Sequence, residues 1–251
     1  MLIRTKTNPL SYSPVACWSN RRLPGMLPAK NLCEVRRIVA ADTVMVSDIS
    51  DTQYKTGGAW TDPTGETLAV KTLYDISQNS NNAAQATEAN QPVLKFSGGV
   101  YNFDGVNSFF YTVANATLDV DTGFLLIKFA TTTPGGSFRG LITKQYAYSL
   151  FLSSSILGYY NWSAAQWVSS GINVADSAIH VAALDFQAGT ARIFLDAALV
   201  KTGNFAIDRQ TDILRIGENA SQKINAKIYF CMLFNKNLSQ SQITKLNRYL
   251  A

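Results

Sequence analysis

The sequence is poor in charged residues, in histidine and in paired cysteines. Charged residues make up 16% of the 251 positions, against 47% hydrophobic residues. The three cysteines, Cys17, Cys33 and Cys231, show no CxxC spacing, which argues against a disulfide framework and a zinc site and favours buried free thiols. His180 is the only histidine, and no Ser or Cys nucleophile motif accompanies it, which argues against a catalytic triad. We therefore expect no cofactor and no metal.

Long hydrophobic runs are also missing. No apolar stretch approaches the ~20 residues that span a membrane, and the chain does not open on the charged and apolar regions of a signal peptide. We expect no membrane association and synthesis in a cytoplasm, with any later export as part of an assembly. No basic patch interleaved with aromatic residues is present, so nucleic acid is not an expected partner.

The stretch 91–112, QPVLKFSGGVYNFDGVNSFFYT, carries the clearest local signal of structure. Apolar and polar residues alternate on both sides of Gly98-Gly99 and of Asp104-Gly105. These dipeptides accept the positive φ of a tight turn, so the pattern is typical of β-hairpins. We predict three short strands joined by tight turns in this stretch.

Further strand patterns follow along the rest of the chain. The other predicted strands are 15–18, 34–39, 44–46, 123–130, 138–143, 146–152, 156–162, 179–186, 190–196, 213–216 and 224–234. Short helical turns are predicted at 67–72 and 81–89. This spacing of short strands indicates an all-β fold, a jelly-roll β-sandwich over residues 14–251 that follows an extended N-terminal arm, 1–13.

A short helix is predicted to close the chain. Ser239 is a favourable N-cap, and Gln242 stands where the partner of a capping box belongs. Leu238 and Ile243 occupy the positions of a hydrophobic staple. The pattern predicts a helix that begins at Ser239.

Positive charge is concentrated at the start of the chain. Residues 1–40 hold seven basic residues and one acidic residue, whereas the rest holds 15 basic and 16 acidic residues. A basic segment of this kind can dock on an acidic partner. The predicted partner-binding residues are Arg4, Lys6, Arg21 and Arg22. The alternative is a solvated segment whose arginine pairs lie on exposed strand faces.

Aromatic side chains are concentrated between residues 146 and 167. Their rings can stack on sugar rings, and nearby amides can bind hydroxyl groups. The predicted carbohydrate-binding residues are Tyr146, Tyr148, Tyr159, Tyr160, Asn161, Trp162, Gln166 and Trp167. The alternative is that these residues form strand core with one exposed belt.

Several of these segments resemble known families. LYDISQNSNNAAQ, YNFDGVNSFFY, IHVAALDFQAGTARIFLDAALV and KIYFCMLFNKNLSQSQITKL resemble, in order and spacing, concanavalin A-like (laminin G-like) jelly-roll domains. ACWSNRRL, EVRRI and LYDISQNSNNAAQ resemble the N-terminal half of fungal arabinofuranosidase B-type catalytic domains. They are also similar to phage virion proteins that share this opening without the enzyme. The resemblance implies a sandwich fold over residues 14 to 251.

The chain departs from the arabinofuranosidase pattern at its catalytic motifs. The adjacent cysteine pair and the acidic nucleophile segment of that family have no counterpart, and its glycine-containing SGNGN loop is SQNSNN here. Related jelly rolls bind calcium through Asp side chains, but no dense Asp cluster is present. We carry over no catalytic residue and no metal ligand from the resemblance.

The acidic residues are interpreted as structural. Glycoside hydrolysis needs two carboxylates that face each other across a cleft. Asp62 and Asp104 stand in turn contexts, where Asp bonds its own backbone. Glu34, beside two arginines, is expected to form an ion pair, and His180 is expected to have a structural role. The chain is therefore predicted not to be an enzyme.

The leading functional hypothesis is a phage virion structural protein, such as a decoration, fibre or collar component. It would be located in the virion and bind other virion proteins as a homo-oligomer or as part of a larger assembly. Adhesion to host-surface glycans would be an additional role. The alternatives are a carbohydrate-binding, lectin-like module and an arabinofuranosidase-like glycoside hydrolase.

Overall fold

The computed structural model describes residues 14–19, 31–49, 53–77, 79–95, 100–208 and 212–250. Its strands, in chain order, are β1 Ala16–Ser19, β2 Cys33–Arg37, β3 Asp42–Val46, β4 Asp48–Ile49, β5 Tyr54–Thr56, β6 Ala59–Thr61, β7 Leu68–Leu73, β8 Ala83–Ala84, β9 Val93–Lys95, β10 Val100–Asp104, β11 Phe110–Thr112, β12 Gly123–Ala130, β13 Arg139–Lys144, β14 Tyr148–Ser153, β15 Ile156–Asn161, β16 Gln166–Asn173, β17 His180–Gln187, β18 Thr190–Leu195, β19 Ala198–Gly203, β20 Leu214–Ile216, β21 Glu218–Asn219, β22 Gln222–Lys223 and β23 Asn225–Phe234. Within these residues, helix α1 spans Gln240–Leu250, and single 3-10 turns lie at Glu88–Asn90 and Ala116–Leu118.

Most strands form two packed antiparallel sheets, whereas β4, β5 and β6 form a separate three-stranded sheet, β21 and β22 form a two-stranded one, and β2 pairs with β3 and β7. Sheet A has the order β19-β18-β17-β12-β23, and β23 pairs along its other edge with β1 and with β10. Sheet B has the order β16-β15-β14-β13-β20-β11-β8. Strand β7 connects them, because it pairs with β8 of sheet B and, through β9, with β10 of sheet A. The all-β sandwich expected from the strand pattern is confirmed.

The main core lies between the inner faces of the two sheets. Leu125, Ile127 and Phe129 of β12 enter this core, together with Leu150 of β14 and Tyr159 of β15. Side chains on one strand point alternately to opposite faces, so every second residue of each strand belongs to the core. The remaining residues of β14 and β15 therefore face outward from sheet B.

A second apolar layer covers the outer face of sheet A. The alternate residues of β12, Phe124 and Leu126, pack there against Ile243, Leu246 and Leu250 of α1. This arrangement explains why β12 is apolar on both faces. Lys128 also lies on β12, and its Nζ donates to the main-chain carbonyl of Leu250 at 2.5 Å, close to the C-terminal end of α1.

Helix α1 begins as the sequence pattern predicts. The main-chain N–H of Ser239 donates to Gln242 Oε1 at 2.7 Å, and the Gln242 N–H donates to Ser239 Oγ at 3.3 Å. This reciprocal pair is a capping box. Leu238 and Ile243 are both buried in the layer beneath the helix, as a hydrophobic staple requires.

The stretch 91–112 forms three strands but not two consecutive hairpins. Strands β9 and β10 pair with each other, whereas β11 pairs with β8 and β20 in sheet B. The turn at Asp104-Gly105 therefore carries the chain from one sheet to the other, and the predicted second hairpin is wrong. Residues 96–99, which include Gly98-Gly99, lie outside the described residues.

Two predicted helical turns also differ from the structure. Residues 67–72 belong largely to strand β7, whose Leu68 and Val70 are buried in the main core. Within 81–89, the structure has the short strand β8 and the start of the 3-10 turn Glu88–Asn90. Pairing of β7 with β2 and β9 outweighs local helix propensity at these positions.

Candidate functional site

Six aromatic rings form a cluster on the outer face of sheet B. We call this set the outer aromatic cluster; its members are Phe138, Tyr146, Phe151, Tyr160, Trp162 and Trp167. They come from β14, β15 and β16 and from the residues next to β13, β14 and β15. The cluster lies on the side of the sheet opposite to the main core.

The rings are in contact but not coplanar. Trp162 lies at the centre, with ring-centroid distances of 4.7 Å to Tyr160, 5.2 Å to Tyr146 and 6.4 Å to Phe151. Its ring plane is tilted by 58° to that of Tyr160 and by 50° to that of Tyr146. The cluster therefore presents differently inclined ring faces and not one flat aromatic surface.

The cluster is only partly covered by protein. Phe151 is buried with 1% of its surface exposed, and it forms the floor of the cluster. Tyr146 is 37% exposed, and the other four rings are partly exposed. Large aromatic side chains bury 150–250 Å² when they are fully covered, so the cluster leaves substantial aromatic surface in contact with solvent.

Two hairpin turns bring Tyr146 and Trp162 together. Tyr146 lies in the turn between β13 and β14, where the Ala147 N–H donates to the Lys144 carbonyl at 3.1 Å. Trp162 begins the turn between β15 and β16, where the Ala165 N–H donates to the Trp162 carbonyl at 3.2 Å. Tyr146 has a φ of 64°, which is rare for a bulky residue and points to a positional requirement for its ring.

Trp167 lies across a glycine of the neighbouring strand. It stands opposite Tyr160 in the β15–β16 register, and a Cβ built on Gly158 would overlap the Trp167 indole. Gly158 therefore lets the indole lie close against the sheet. The same arrangement holds Trp167 5.6 Å from Phe138 and 6.5 Å from Phe151 between ring centroids.

Polar atoms without a partner lie beside these rings. Among the described residues, the buried atoms Trp162 Nε1 and Ser149 Oγ have no hydrogen-bond partner. Both residues are on the outward-facing side of sheet B, since Ser149 alternates with the core residues Tyr148 and Leu150. Unpaired buried donors are rare and costly in folded proteins. Trp162 Nε1 and Ser149 Oγ thus have no partner within the described protein.

Five of the eight predicted carbohydrate-binding residues belong to the outer face. Tyr146, Tyr160, Trp162 and Trp167 are in the outer aromatic cluster, and Gln166 is exposed at its rim.

The structure places Tyr148, Tyr159 and Asn161 elsewhere. Tyr148 and Tyr159 are fully buried, and their hydroxyls donate to the carbonyls of Leu118 at 2.9 Å and Asn204 at 2.8 Å. Burial raises the pKa of Tyr159 to about 12. Asn161 is also buried and donates to the Asn204 carbonyl at 3.3 Å. These three residues belong to the inner side of sheet B and do not contribute to an outer binding surface.

Sequence reasoning missed two members of the cluster. Phe138 lies before the dense Tyr and Trp segment, and Phe151 lies within it but fits the pattern of an ordinary strand residue. The strand alternation offered a signal for Phe151, because it is out of phase with Leu150 and Leu152 of the core. No sequence signal places Phe138, which reaches the cluster from a residue with a φ of 54°.

His180 lies between two carboxylates at the start of β17. Its Nδ1 is 2.9 Å from Asp196 Oδ2, and its Nε2 is 3.1 Å from Asp176 Oδ1. Burial acts to lower the pKa of His180, but the two carboxylates outweigh it, and the pKa is raised. Asp196 also accepts the Val181 N–H at 2.8 Å. His180 thus links the loop before β17 to the turn after β18, which agrees with the structural role predicted for it.

The acidic residues singled out by sequence have structural contacts. Asp104 Oδ1 accepts the N–H groups of Val106, Asn107 and Ser108 at 2.9–3.0 Å. Burial acts to raise the pKa of Asp104, but the three hydrogen bonds outweigh it, and the pKa is lowered. Asp62 accepts the Thr64 N–H at 2.9 Å, as expected of a turn residue.

Glu34 forms an ion pair, but not with the adjacent arginines. Its Oε1 is 3.0 Å from Lys71 Nζ on the neighbouring strand β7. Arg36 instead lies 3.6 Å from Glu88, and Arg37 pairs with Asp42. Glu34 stands opposite Thr72 of β7, next to Lys71, so cross-strand partners replace sequence neighbours here.

A concavity of about 530 Å³ lies between the end of β23 and the segment 116–122. Asp119 and Asp121 line it, together with Asn79 and Asn235. Asp119 is 2.8 Å from Nζ of Lys144, a side chain that is 1% exposed. Asp119 therefore compensates a buried ammonium group, which is a structural task.

The remaining predictions concern metals, membranes and the basic residues. The described residues contain no group of three or more His, Cys, Asp and Glu side chains placed to hold a metal ion. In the same part of the chain, no helix is long and apolar enough to cross a membrane. Arg4, Lys6, Arg21 and Arg22 lie outside the described residues, so their predicted role in partner binding is untested.

Comparisons with known proteins identify the type of fold. No protein-family model matches the sequence, and no curated protein does. Among solved structures, an arabinofuranosidase complexed with arabinofuranosyl-α-1,2-xylobiose is similar, with a TM-score of 0.71 and 13% identity over 94% of this chain and 62% of that chain. Trypanosoma rangeli sialidase in complex with sialic acid follows, with a TM-score of 0.55 and 13% identity over 70% of this chain and 31% of that chain.

A toxin domain shares the fold as well. The binding domain of Paraclostridial mosquitocidal protein 1 gives a TM-score of 0.51 and 12% identity over 72% of this chain and 51% of that chain. The present chain spans 62% of the length of the arabinofuranosidase. At these identities the likeness establishes an all-β sandwich and nothing about activity. The chain thus has a fold that also occurs in glycoside hydrolases and in toxin binding domains.

Proposed function

We propose that this protein is a carbohydrate-binding β-sandwich whose ligand stacks on the outer aromatic cluster. The observation that carries the proposal is the set of partly exposed Tyr146, Tyr160, Trp162 and Trp167 rings, held together on one face of sheet B. The faces of aromatic rings are electronegative, so they attract the polarised C–H groups on one side of a sugar ring. Gln166 at the rim supplies an amide for hydroxyl groups.

The geometry favours a soluble sugar chain over a flat polysaccharide surface. The ring planes of Tyr146 and Tyr160 are tilted by 50° and 58° to that of Trp162. Rings with such different inclinations can each contact one sugar unit of a bent chain. The arabinofuranosidase of similar fold is itself complexed with a neutral oligosaccharide, arabinofuranosyl-α-1,2-xylobiose, which is consistent with the proposal.

We propose binding without hydrolysis at this face. Glycosidases use a pair of Asp or Glu residues that flank the scissile bond. No Asp or Glu occurs between residues 145 and 175, which include all of β14, β15 and β16. Incubation with a bound oligosaccharide should therefore release no new reducing ends. Hydrolysis that is lost in Trp162→Ala would overturn this part of the proposal.

A glycan array tests the binding function directly. The wild-type protein should bind at least one oligosaccharide, and Trp162→Ala and Trp167→Ala should each weaken that binding by roughly twofold to tenfold, because a lost stacking contact costs ~0.5–1.5 kcal/mol. Trp60→Ala is the matched control, since Trp60 is 46% exposed on β6, away from the cluster. Binding that survives both cluster substitutions would contradict the proposed site.

A second candidate function is that of a subunit in a larger assembly, such as a phage virion. One observation favours it: Ile38, Val39, Met45 and Trp60 are large apolar residues with 43–73% of their surface exposed, all within one N-terminal segment. Exposed apolar side chains that are close in sequence can form a protein-binding surface. Location in a virion, with other virion proteins as partners, stays a prediction for which the fold likeness offers no support.

The oligomeric state separates this candidate from the first. If the N-terminal apolar residues pack against a second copy, light scattering should give a mass above that of a monomer. Val39→Lys should then shift the protein towards the monomer, while Val113→Lys, at an equally exposed position beyond β11, should not. A monomer at all concentrations would count against self-assembly through this segment.

A further inference from the structure

The strands that carry the outer aromatic cluster contain no charged residue. From Gln145 to Ala175 the sequence holds no Asp, Glu, Lys, Arg or His, although charged residues make up 16% of the whole chain. This stretch spans β14, β15 and β16 and both turns of the cluster. Its residues are mainly Tyr, Trp, Ser, Asn, Gln and small apolar residues, a composition that gives adaptable, uncharged recognition surfaces.

The charged residues that border this stretch are turned to other partners. Lys144 is 1% exposed, and its Nζ contacts Asp119 and the Asp212 carbonyl at 2.8 and 2.6 Å. Asp176, at the other end, is 3.1 Å from Nε2 of His180. Neither charge is directed to the cluster.

Two further charged residues lie close to the rim of the cluster. Arg139 follows Phe138 in the chain, and its Nη1 donates to the carbonyl of Lys223 at 3.0 Å. The exposed residue Asp208 donates its main-chain N–H to the Tyr146 carbonyl at 3.1 Å. The negative charge of Asp208 at this rim disfavours an anionic ligand, since like charges repel.

We infer that the ligand of the outer aromatic cluster is an uncharged glycan and that acidic sugars are excluded. The inference rests on the proposed function and adds the class of sugar to it. Binding buries the ligand against apolar rings, and a carboxylate loses its hydration there. The strands β14, β15 and β16 hold no cation to compensate it, and Arg215 of β20, which faces outward on the same sheet, is already paired with Asp212 at 3.0 Å. Hydroxyl groups, in contrast, find the exposed side chains of Gln166 and Ser163, both of them uncharged.

The experiment compares neutral and acidic probes on the same protein. The neutral set consists of cello-, xylo-, manno-, arabino- and galacto-oligosaccharides, and the acidic set of sialyllactose, oligogalacturonate and glucuronoxylan fragments. We expect binding only to neutral probes, with an affinity that changes less than about twofold between 0.05 and 0.5 M NaCl, because salt screens only charged contacts.

The outcomes distinguish the inference from the function beneath it. Binding of an acidic probe that is lost in Trp162→Ala would retain the proposed site and overturn the inference. A strong decrease of affinity with salt would overturn it as well. Failure to bind any probe would overturn both the site and the inference.

A designed cation offers a second test. Ala164→Arg places a guanidinium in the exposed β15–β16 turn, two residues from Trp162, without changing a ring or a residue proposed to bind hydroxyl groups. This variant should gain at least about tenfold in affinity for an acidic probe while it keeps its affinity for the neutral one, as expected for one new charge-assisted contact. Gln53→Arg, outside the cluster, is the control that corrects for net charge. An equal gain in both variants would contradict the inference.

Discussion

Two residues of the outer aromatic cluster have backbone conformations that side chains rarely adopt. Phe138 has a φ of 54° and Tyr146 a φ of 64°. Left-handed backbone costs a residue with a Cβ roughly 1–2 kcal/mol, whereas glycine adopts it freely. Phe138 and Tyr146 are the two aromatic residues among the described non-glycine positions with positive φ, and both belong to the cluster. This is the pattern expected at a binding site.

Paired substitutions of Tyr146 separate the backbone cost from the ring. Both Tyr146→Ala and Tyr146→Gly remove the ring and should weaken glycan binding to the same extent. Tyr146→Gly should nevertheless be more stable than Tyr146→Ala by about 1 kcal/mol, because only glycine relieves the strain. Urea unfolding of the two variants measures the difference. A less stable glycine variant would show that Tyr146 is not strained.

His180 should make the stability of the protein depend on pH above neutrality. Its pKa is raised in the folded state by Asp196 and Asp176, although burial opposes them. The stabilisation is complete below the unfolded pKa of about 6.5 and is lost as the pH rises through the raised folded value. The free energy of unfolding should therefore exceed that of His180→Gln more at pH 6 than at pH 9. A difference that does not change with pH would contradict this linkage.

At the scale of elements, the β15–β16 pair determines how the cluster is presented. Tyr160 stands opposite Trp167 in the register, while Tyr159 on the same strand points into the core. A shift of the register by one residue would exchange these faces. The large core side chains on the inner face therefore also fix which rings are exposed on the outer face.

Gly158→Ala tests this dependence without removing a ring. The new Cβ would overlap both the Trp167 indole and the Val168 carbonyl, so the β15–β16 pair must shift. We expect a loss of about 1–3 kcal/mol in unfolding free energy, a changed tryptophan emission spectrum and weaker glycan binding. Gly136→Ala is the matched control, because its nearest neighbour is the flexible end of Arg139 at 3.3 Å. Unchanged emission would mean that Trp167 does not lie over Gly158 in solution.

At the scale of the whole molecule, the three thiols report on global unfolding. Cys17, Cys33 and Cys231 are free and buried, as the sequence pattern predicts, and each has at most 1% of its surface exposed. Burial raises the pKa of Cys33 to about 12, against a smaller opposing effect of Tyr101, and it raises the pKa values of Cys17 and Cys231 as well. Thiolates are the reactive form, so the native thiols should be inert.

A thiol reagent at pH 8 provides the measurement. The native protein should not react over the time in which the denatured protein reacts completely, with three equivalents. Reaction in intermediate urea should follow the unfolding transition, because all three thiols are buried in the folded protein. One thiol that reacts well before unfolding would locate a region of low local stability.

The connections between distant segments show where sequence reasoning stops. The strand patterns of 123–130, 179–186 and 190–196 correspond to β12, β17 and β18, and the capping box begins α1. In contrast, nothing in the alternation of 91–112 indicates that β11 joins sheet B, and nothing beside Glu34 points to Lys71 as its partner. Local sequence patterns indicate where turns and strands lie. Which strands pair with each other depends on packing across the whole sandwich.

The sequence by itself determined the all-β class, the closing helix, the turn role of Asp104 and the buried state of the cysteines. Each of these follows from local chemistry, such as capping, turn geometry or the lack of paired thiols. Only the tertiary structure decided which aromatic residues face solvent. A strand period of two divides Tyr159 from Tyr160 but does not say which side is the core. The packing of sheet A on sheet B determines which face of sheet B is buried. The opposite face carries Tyr160, Trp162 and Trp167.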